Sequence, residues 1–150
     1  MKYITFTIPC YNSENYMRRC VDSLLVGGED VEILIIDDGS SDRTGAIADE
    51  YEMLYPNIVK AVHKPNGGHG SGVNRGLELA HGLYYKVVDS DDWLDPDALK
   101  KVLRQLRIQS METPLDMMLC NYVYEHAVDN TSHTIDYHNV FPQNQVFSWE

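Results

Sequence analysis

The sequence predicts an α/β fold in three layers, with a mostly parallel sheet between two layers of helices. Three observations carry that expectation. Short runs rich in β-branched residues alternate with stretches that repeat apolar residues every three or four positions. The connections between them are short, which implies right-handed βαβ units. One run, Val31-Glu32-Ile33-Leu34-Ile35-Ile36, is almost continuously apolar, as an inner parallel strand covered on both faces must be.

The elements follow in order. Residues 3–9 (YITFTIP) read as the first strand. A helix follows with Ser13 as its N-cap; Tyr16, Cys20 and Leu24 repeat at i, i+4 and i+8 until Gly27-Gly28 stops it. Residues 31–37 (VEILIID) form the second strand. The second helix starts after Asp42 or Thr44, with Ile47, Tyr51 and Leu54 on one face. Residues 58–63 are a third strand. A third helix runs from near Ser71 to Gly82 and carries Val73, Leu77 and Ala80. Residues 83–89 (LYYKVVD) are the fourth strand. Asp95-Pro96 opens a fourth helix, because proline is favoured at the first helical position, and Leu99, Val102 and Leu106 make its stripe. Residues 116–124 are a further strand candidate. After about Pro114 the pattern weakens, and residues 126–150 are polar and receive no assignment.

Composition limits the function. Of 150 residues, 43% are hydrophobic and 23% charged, within the globular range. Lys and Arg total 12 against 23 Asp and Glu, a formal charge of −11. That balance argues against nucleic acid, whose backbone needs a basic footprint, and against an anionic membrane surface. A small nucleotide stays compatible provided a divalent cation stands between carboxylates and phosphates. The N-terminus runs straight into strand pattern, so no secretory leader is expected, and no apolar stretch approaches the roughly 18 residues of a membrane span. Cys10, Cys20 and Cys120 form no CxxC pair and read as reduced thiols, which favours a cytoplasmic protein. The six histidines show no paired metal spacing.

Chemistry is expected beyond the carboxyl ends of the strands, where parallel sheets bind ligands. Three strands end in Pro9-Cys10-Tyr11-Asn12, Asp37-Asp38-Gly39-Ser40-Ser41-Asp42 and Asp89-Ser90-Asp91-Asp92-Trp93. The glycine-rich stretch Asn66-Gly67-Gly68-His69-Gly70-Ser71-Gly72 opens the third helix. Adjacent carboxylates repel unless a cation neutralises them, and hard oxygen ligands suit Mg²⁺ or Mn²⁺; Asp89 and Asp91 are the candidate ligands. The alternative is a solvated acidic turn, the expected role of Asp95 and Asp97. Burying both Asp37 and Asp38 has no structural benefit, so one of them, Asp38, is expected to face a ligand, while Asp42 caps a helix. The glycine-rich loop either cradles an anion with its backbone N–H groups or is a plain turn.

The segments TFTIPCYNSENYMRRCVDSLL (5–25), VEILIIDDGSSDRT (31–44) and NGGHGSGVNRGLELAHGLYYKVVDSDDWLDPDAL (66–99), in that order, resemble family 2 glycosyltransferases, the inverting nucleotide-sugar enzymes of the Rossmann-like GT-A fold. The resemblance implies transfer of a sugar from a nucleotide donor, expected to be a UDP-sugar, to a saccharide, lipid or cell-wall acceptor with Mn²⁺ or Mg²⁺. It implies that Pro9 and Tyr11 line the base pocket, with the Tyr11 ring on the pyrimidine. Asp38 would accept the imide N–H that uracil has and cytosine lacks. Asn66 and Gly67 would border the nucleotide. Asp89 and Asp91 would be the DxD motif, Asp89 toward ribose and metal and Asp91 on the metal.

Two departures stand out. Val73 occupies the place of an arginine common in the family, with Arg75 following as a helix-surface residue. His69 is either a phosphate contact or a plain loop histidine. The family's general base, an Asp or Glu after the DxD, has no motif match among Asp116, Glu125, Asp129 and Asp136. Residues 1–150 are therefore expected to be one GT-A-like donor-binding domain, incomplete at its C-terminus, with the acceptor half largely missing and any membrane association peripheral. A donor-binding fragment without catalysis is one alternative. A receiver-type phosphoacceptor is another, although a strand and helix precede the acidic-pair strand here and no later Ser/Thr strand end is followed by Lys-Pro. A nucleotide-sugar pyrophosphorylase would need a basic, glycine-rich loop where Pro9-Cys10-Tyr11-Asn12 stands.

Overall fold

Burial sorts the strands into centre and edge. A computed structural model of the chain describes residues 1–112, 115–126 and 131–148. β1 (Ile4–Cys10) is buried at every position and β2 (Val31–Asp37) at all but Glu32, so these apolar runs take the middle of the sheet. β3 (Val59–His63) and β4 (Tyr84–Val87) carry more exposed residues and form its edges, in the order β3-β2-β1-β4. All three pairings are parallel, from Ile4 opposite Val31 to Cys10 opposite Asp37. The chain steps outward from β1 to β3 and then crosses to the far side of β1 to lay down β4. The topological switch point therefore lies at the carboxyl ends of β1 and β4.

The chain forms two compact units, Met1–Ile108 and Gln109–Glu150. The first contains the parallel sheet with α1 (Met17–Leu25), α2 (Thr44–Leu54), α3 (His69–Leu79) and most of α4 (Pro96–Met111). In the second, β5 (Tyr122–His126) pairs antiparallel with β6 (Thr131–Ile135). The strand expected at 116–124 thus starts later and belongs to a separate ribbon, with a partner from the stretch that received no assignment. A five-residue polar strand such as Thr131-Ser132-His133-Thr134-Ile135 leaves little hydrophobic signal.

All four helices depart in part from their expected faces. α1 starts at Met17, not after Ser13, and buries Met17, Cys20, Val21 and Leu24 while Tyr16 stays exposed. Ser13 spends its side chain on the loop instead: its hydroxyl accepts the Tyr11 N–H at 3.2 Å and lies 3.0 Å from the Ser90 hydroxyl. α2 buries Thr44, Ile47, Ala48 and Tyr51, leaving Leu54 in solvent. α3 begins at His69, two residues early, and its sheet-facing side is Gly72 and Gly76 rather than Val73, Leu77 and Ala80; Leu77 is exposed. In α4 the buried stripe is Leu99, Leu103 and Leu106, with Val102 half-buried.

The glycine face of α3 is a matter of distance. A Cβ on Gly76 would sit 2.2 Å from Thr7 Cγ2 and 2.3 Å from its Oγ1, inside contact range. Thr7 is fully buried and has no room to yield. Alanine in a helix interior is favoured over glycine by roughly 1 kcal/mol, but an overpacked core loses about 1–3 kcal/mol or more. Gly76→Ala is expected to be net destabilising, read as a lower denaturation midpoint at unchanged slope. A variant as stable as the parent would mean that α3 lies farther from the sheet.

Candidate functional site

A cleft of about 530 Å³ opens at the switch point. Its walls include Pro9, Tyr11, Asp38, Asn66, Asp89 and Asp91, each singled out by sequence and brought together from four loops. Gly67 serves the site through its backbone, and the wall at that point is Gly68. Ser13, Tyr16, Ser90 and Gly72 line the cleft as well and were not anticipated.

The loop after β1 is zipped to the loop after β2. Asn12, at φ 50, accepts the Ser41 N–H on its side-chain oxygen at 2.9 Å and donates its own N–H to the Ser40 hydroxyl at 3.0 Å. Ser13 N–H reaches Thr44 Oγ1 at 2.7 Å, and Glu14 N–H reaches Asp42 Oδ2 at 3.1 Å. The other Asp42 oxygen accepts the Thr44 N–H at the start of α2, one residue ahead of the N-cap position, which Arg43 holds instead of Asp42. Short turn-forming side chains thus hold the backbone that presents Tyr11, whose ring is 54% exposed and free to take a planar ligand.

Asp37 and Asp38 face different ways, as consecutive residues at a strand end must. Asp38 lines the cleft and is 3% exposed. Its Oδ1 accepts the Gly67 N–H at 3.0 Å and an ammonium hydrogen of Lys64, and its Oδ2 accepts the Gly68 N–H at 2.7 Å. Burial pushes its pKa up, but the Lys64 ammonium and the two N–H donors outweigh that and hold it below the usual carboxylate value. A carboxylate has about four acceptor positions; three are taken, and one on Oδ2 is left for a ligand donor. Lys64 was the residue that sequence reading missed. The signal was there: a lysine directly after β3, at the same sheet end as the acids.

Asp37 turns away into a clamp. His63 Nδ1 lies 3.0 Å from Asp37 Oδ2, and His63 Nε2 lies 3.0 Å from Asp49 Oδ1. Hydrogen bonds to Asp37 and Asp49 raise the His63 pKa, against a smaller lowering by burial. The folded value therefore exceeds the unfolded value of about 6.5, so this contribution to stability is complete below that pH and is lost as pH rises through the folded value. His63→Gln is expected to flatten the loss of thermal stability above about pH 6.5. Parallel curves for parent and variant from acid to alkaline pH would refute the clamp.

The acidic turn after β4 is under-neutralised. The Asp92 carboxyl is pushed up by burial and then by the charges of Asp91 and Asp89, with Lys86 opposing weakly. Asp89 has one partner, His69, whose Nε2 is 2.8 Å from Asp89 Oδ1. Oxygen donors with unbalanced charge are the chemistry a hard divalent cation needs. Among the described residues no group of three or more His, Cys, Asp or Glu could hold a metal alone. Asp89 and Asp91 supply carboxylate oxygens on this turn, the donor type such a cation takes.

Asp116, Glu125 and Asp136 belong to the second unit, where Asp136 accepts the His138 N–H at 2.8 Å, and Asp129 lies outside the described residues. Cys10 and Cys20 are buried free thiols; burial pushes Cys10 up to about 12 and also raises Cys20, so neither is a thiolate near neutral pH. Among the described residues no helix is long and apolar enough to cross a membrane.

Comparison with known proteins agrees with this architecture. The model of the family described as "Glycosyl transferase family 2" matches residues 5–136, and the chain belongs to that family. Its sheet and helices are of the GT-A type. The EpsH protein of Bacillus subtilis is 36% identical over 134 residues, 89% of this chain and 37% of EpsH. The chondroitin synthase of Pasteurella multocida is 41% identical over 105 residues, 68% of this chain and 11% of the synthase. Residues 1–349 of Staphylococcus aureus TarS, solved with UDP-GlcNAc, superpose with a TM-score of 0.63 at 30% identity over 73% of this chain and 32% of that one. The chain spans a minor part of the length of each. Family membership sets aside the phosphoacceptor and pyrophosphorylase readings.

Proposed function

We propose that the first unit is the donor-binding part of an inverting glycosyltransferase that takes a UDP-sugar with Mn²⁺ or Mg²⁺. The observation that carries this reading is the division of the cleft. At one side stands an ionised, nearly saturated carboxylate beside an open aromatic ring, and at the other an acidic turn with unbalanced charge. A uracil ring stacked on Tyr11 offers its imide N–H to the remaining acceptor position of Asp38, with Pro9, Asn66 and Gly67 around it. The diphosphate then extends toward Asp89 and Asp91.

A divalent cation held there would neutralise charge on the departing diphosphate. The protein's own groups bind and orient: Asp38 fixes the base, Asp89 meets the ribose side, and the α3 N-terminus presents backbone N–H groups to anionic oxygen. Inversion also needs a general base for the acceptor hydroxyl. Donor binding is the activity read for this unit, with an acceptor that is a saccharide or a lipid-linked saccharide.

UDP with Mn²⁺ is expected to raise the melting temperature clearly, and UDP in the presence of a chelator to raise it far less. The same small shift in both conditions would overturn the metal-bridged reading.

A further inference from the structure

His69 joins the two halves of the cleft. It is the first residue of α3, directly after Gly68, whose φ of 82 is one that residues with a side chain rarely adopt. On its N-terminal side the chain is pinned where Gly67 and Gly68 donate to Asp38. On its C-terminal side the helix is seated by Gly72 against Pro9 and Gly76 against Thr7, at i+3 and i+7 from His69 and so on its face. The imidazole is thus carried on a fixed mount, and it meets Asp89 Oδ1 at 2.8 Å. Among the described residues, Asp89 is the one member of the acidic cluster whose carboxylate accepts a hydrogen bond. An ionised carboxylate only accepts, so Nε2 carries the hydrogen.

We propose that His69 is a positioning residue: by engaging Oδ1 it fixes the Asp89 carboxylate and leaves Oδ2 to the cation and the nucleotide. This rests on the donor-site reading above. The torsion that rotates a carboxylate is broad and poorly fixed by rotamer preference, so an exposed Asp ligand gains order from an outer hydrogen bond. The anchoring chain runs from Asp38 through Gly67 and Gly68 to His69 and Asp89, so the loop that borders the base also orders the metal side.

The test is calorimetric titration of the full chain with UDP, in Mn²⁺ and in chelator. In the parent, Mn²⁺ tightens binding; if it does not, the donor-site reading itself fails. With that gain established, His69→Ala is expected to cut it by about tenfold or more, with a much smaller loss of affinity in chelator. His69→Gln, whose amide nitrogen replaces Nε2, restores most of the gain. In an Asp89→Ala background His69→Ala has no further effect. The proposal is overturned if His69→Ala keeps the full gain, if it weakens binding equally with and without Mn²⁺, if His69→Gln fails to rescue, or if the loss persists without Asp89.

Discussion

Replacing Asp38 with alanine is expected to weaken the protein by about 1–3 kcal/mol and to remove UDP binding, because one carboxylate serves both ends. Its oxygens satisfy the Gly67 and Gly68 N–H groups and neutralise Lys64. Alanine leaves two backbone donors and an ammonium facing a gap. Loss of a partner from a fully buried ion pair costs about 3–5 kcal/mol, but Asp38 stands at the wall of an open cleft where water can take part of its place, so the lower range applies. Without that anchor the 66–68 turn loses its register, and with it the start of α3.

The binding loss follows separately. On the proposed donor reading the free Oδ2 position accepts the imide N–H, so the parent is expected to prefer UDP over CDP by at least about tenfold, the worth of one good hydrogen bond lost against an unpaired buried group. Denaturation midpoints report the first effect and titration with each nucleotide the second. Full stability in Asp38→Ala would show that the carboxylate does not hold the loop. Equal affinity for UDP and CDP in the parent would remove Asp38 from base recognition while leaving its structural duty.

The division between what sequence revealed and what it hid has physical causes. β2 was legible as a central strand because a strand covered on both faces needs no polar alternation, and β2 has almost none; β1 alternates apolar residues with Thr5 and Thr7 and is central all the same. That Asp38, Asp89 and Asp91 line one cleft was legible because all three follow strands at the same end of the sheet, although Asp37 and Asp38 also have structural duties that their spacing did not announce. The face of α3 was not, because hydrophobic periodicity presumes that a helix touches the sheet with large side chains; here Gly72 and Gly76 let backbone approach backbone, and Val73 and Leu77 turn outward. Ser13 has the right chemistry for a helix cap, yet Thr44 and Ser90, 31 and 77 positions away, recruit it into the cleft wall. Lys64 escaped for a related reason: its place directly after β3 was readable, but a single lysine carries no pattern that ties it to Asp38. β6 is polar and brief, so its pairing with β5 leaves no periodic trace.

Asp91→Ala is expected to abolish the Mn²⁺-dependent part of UDP binding while leaving the fold intact. Asp91 is exposed, and among the described residues nothing hydrogen-bonds its carboxylate, so the folded state loses no contact. It sheds repulsion instead, since Asp91 is one of the charges that push the Asp92 carboxyl up. A ligand at 100 times its Kd adds about 2.7 kcal/mol to the stability of the form it binds. For a chain of this length that corresponds to a rise of roughly 5–10 °C in melting temperature. The parent should show a rise of that order with UDP and Mn²⁺, and Asp91→Ala little beyond what UDP gives in chelator. An apo variant that melts far below the parent would mark the turn as structural. A variant that keeps the metal-dependent rise would move the cation off Asp91. The charge of −11 sharpens the contrast: carboxylates around the cleft would repel a bare diphosphate, so on the proposed reading deleting the cation's ligand is expected to affect binding far more than stability.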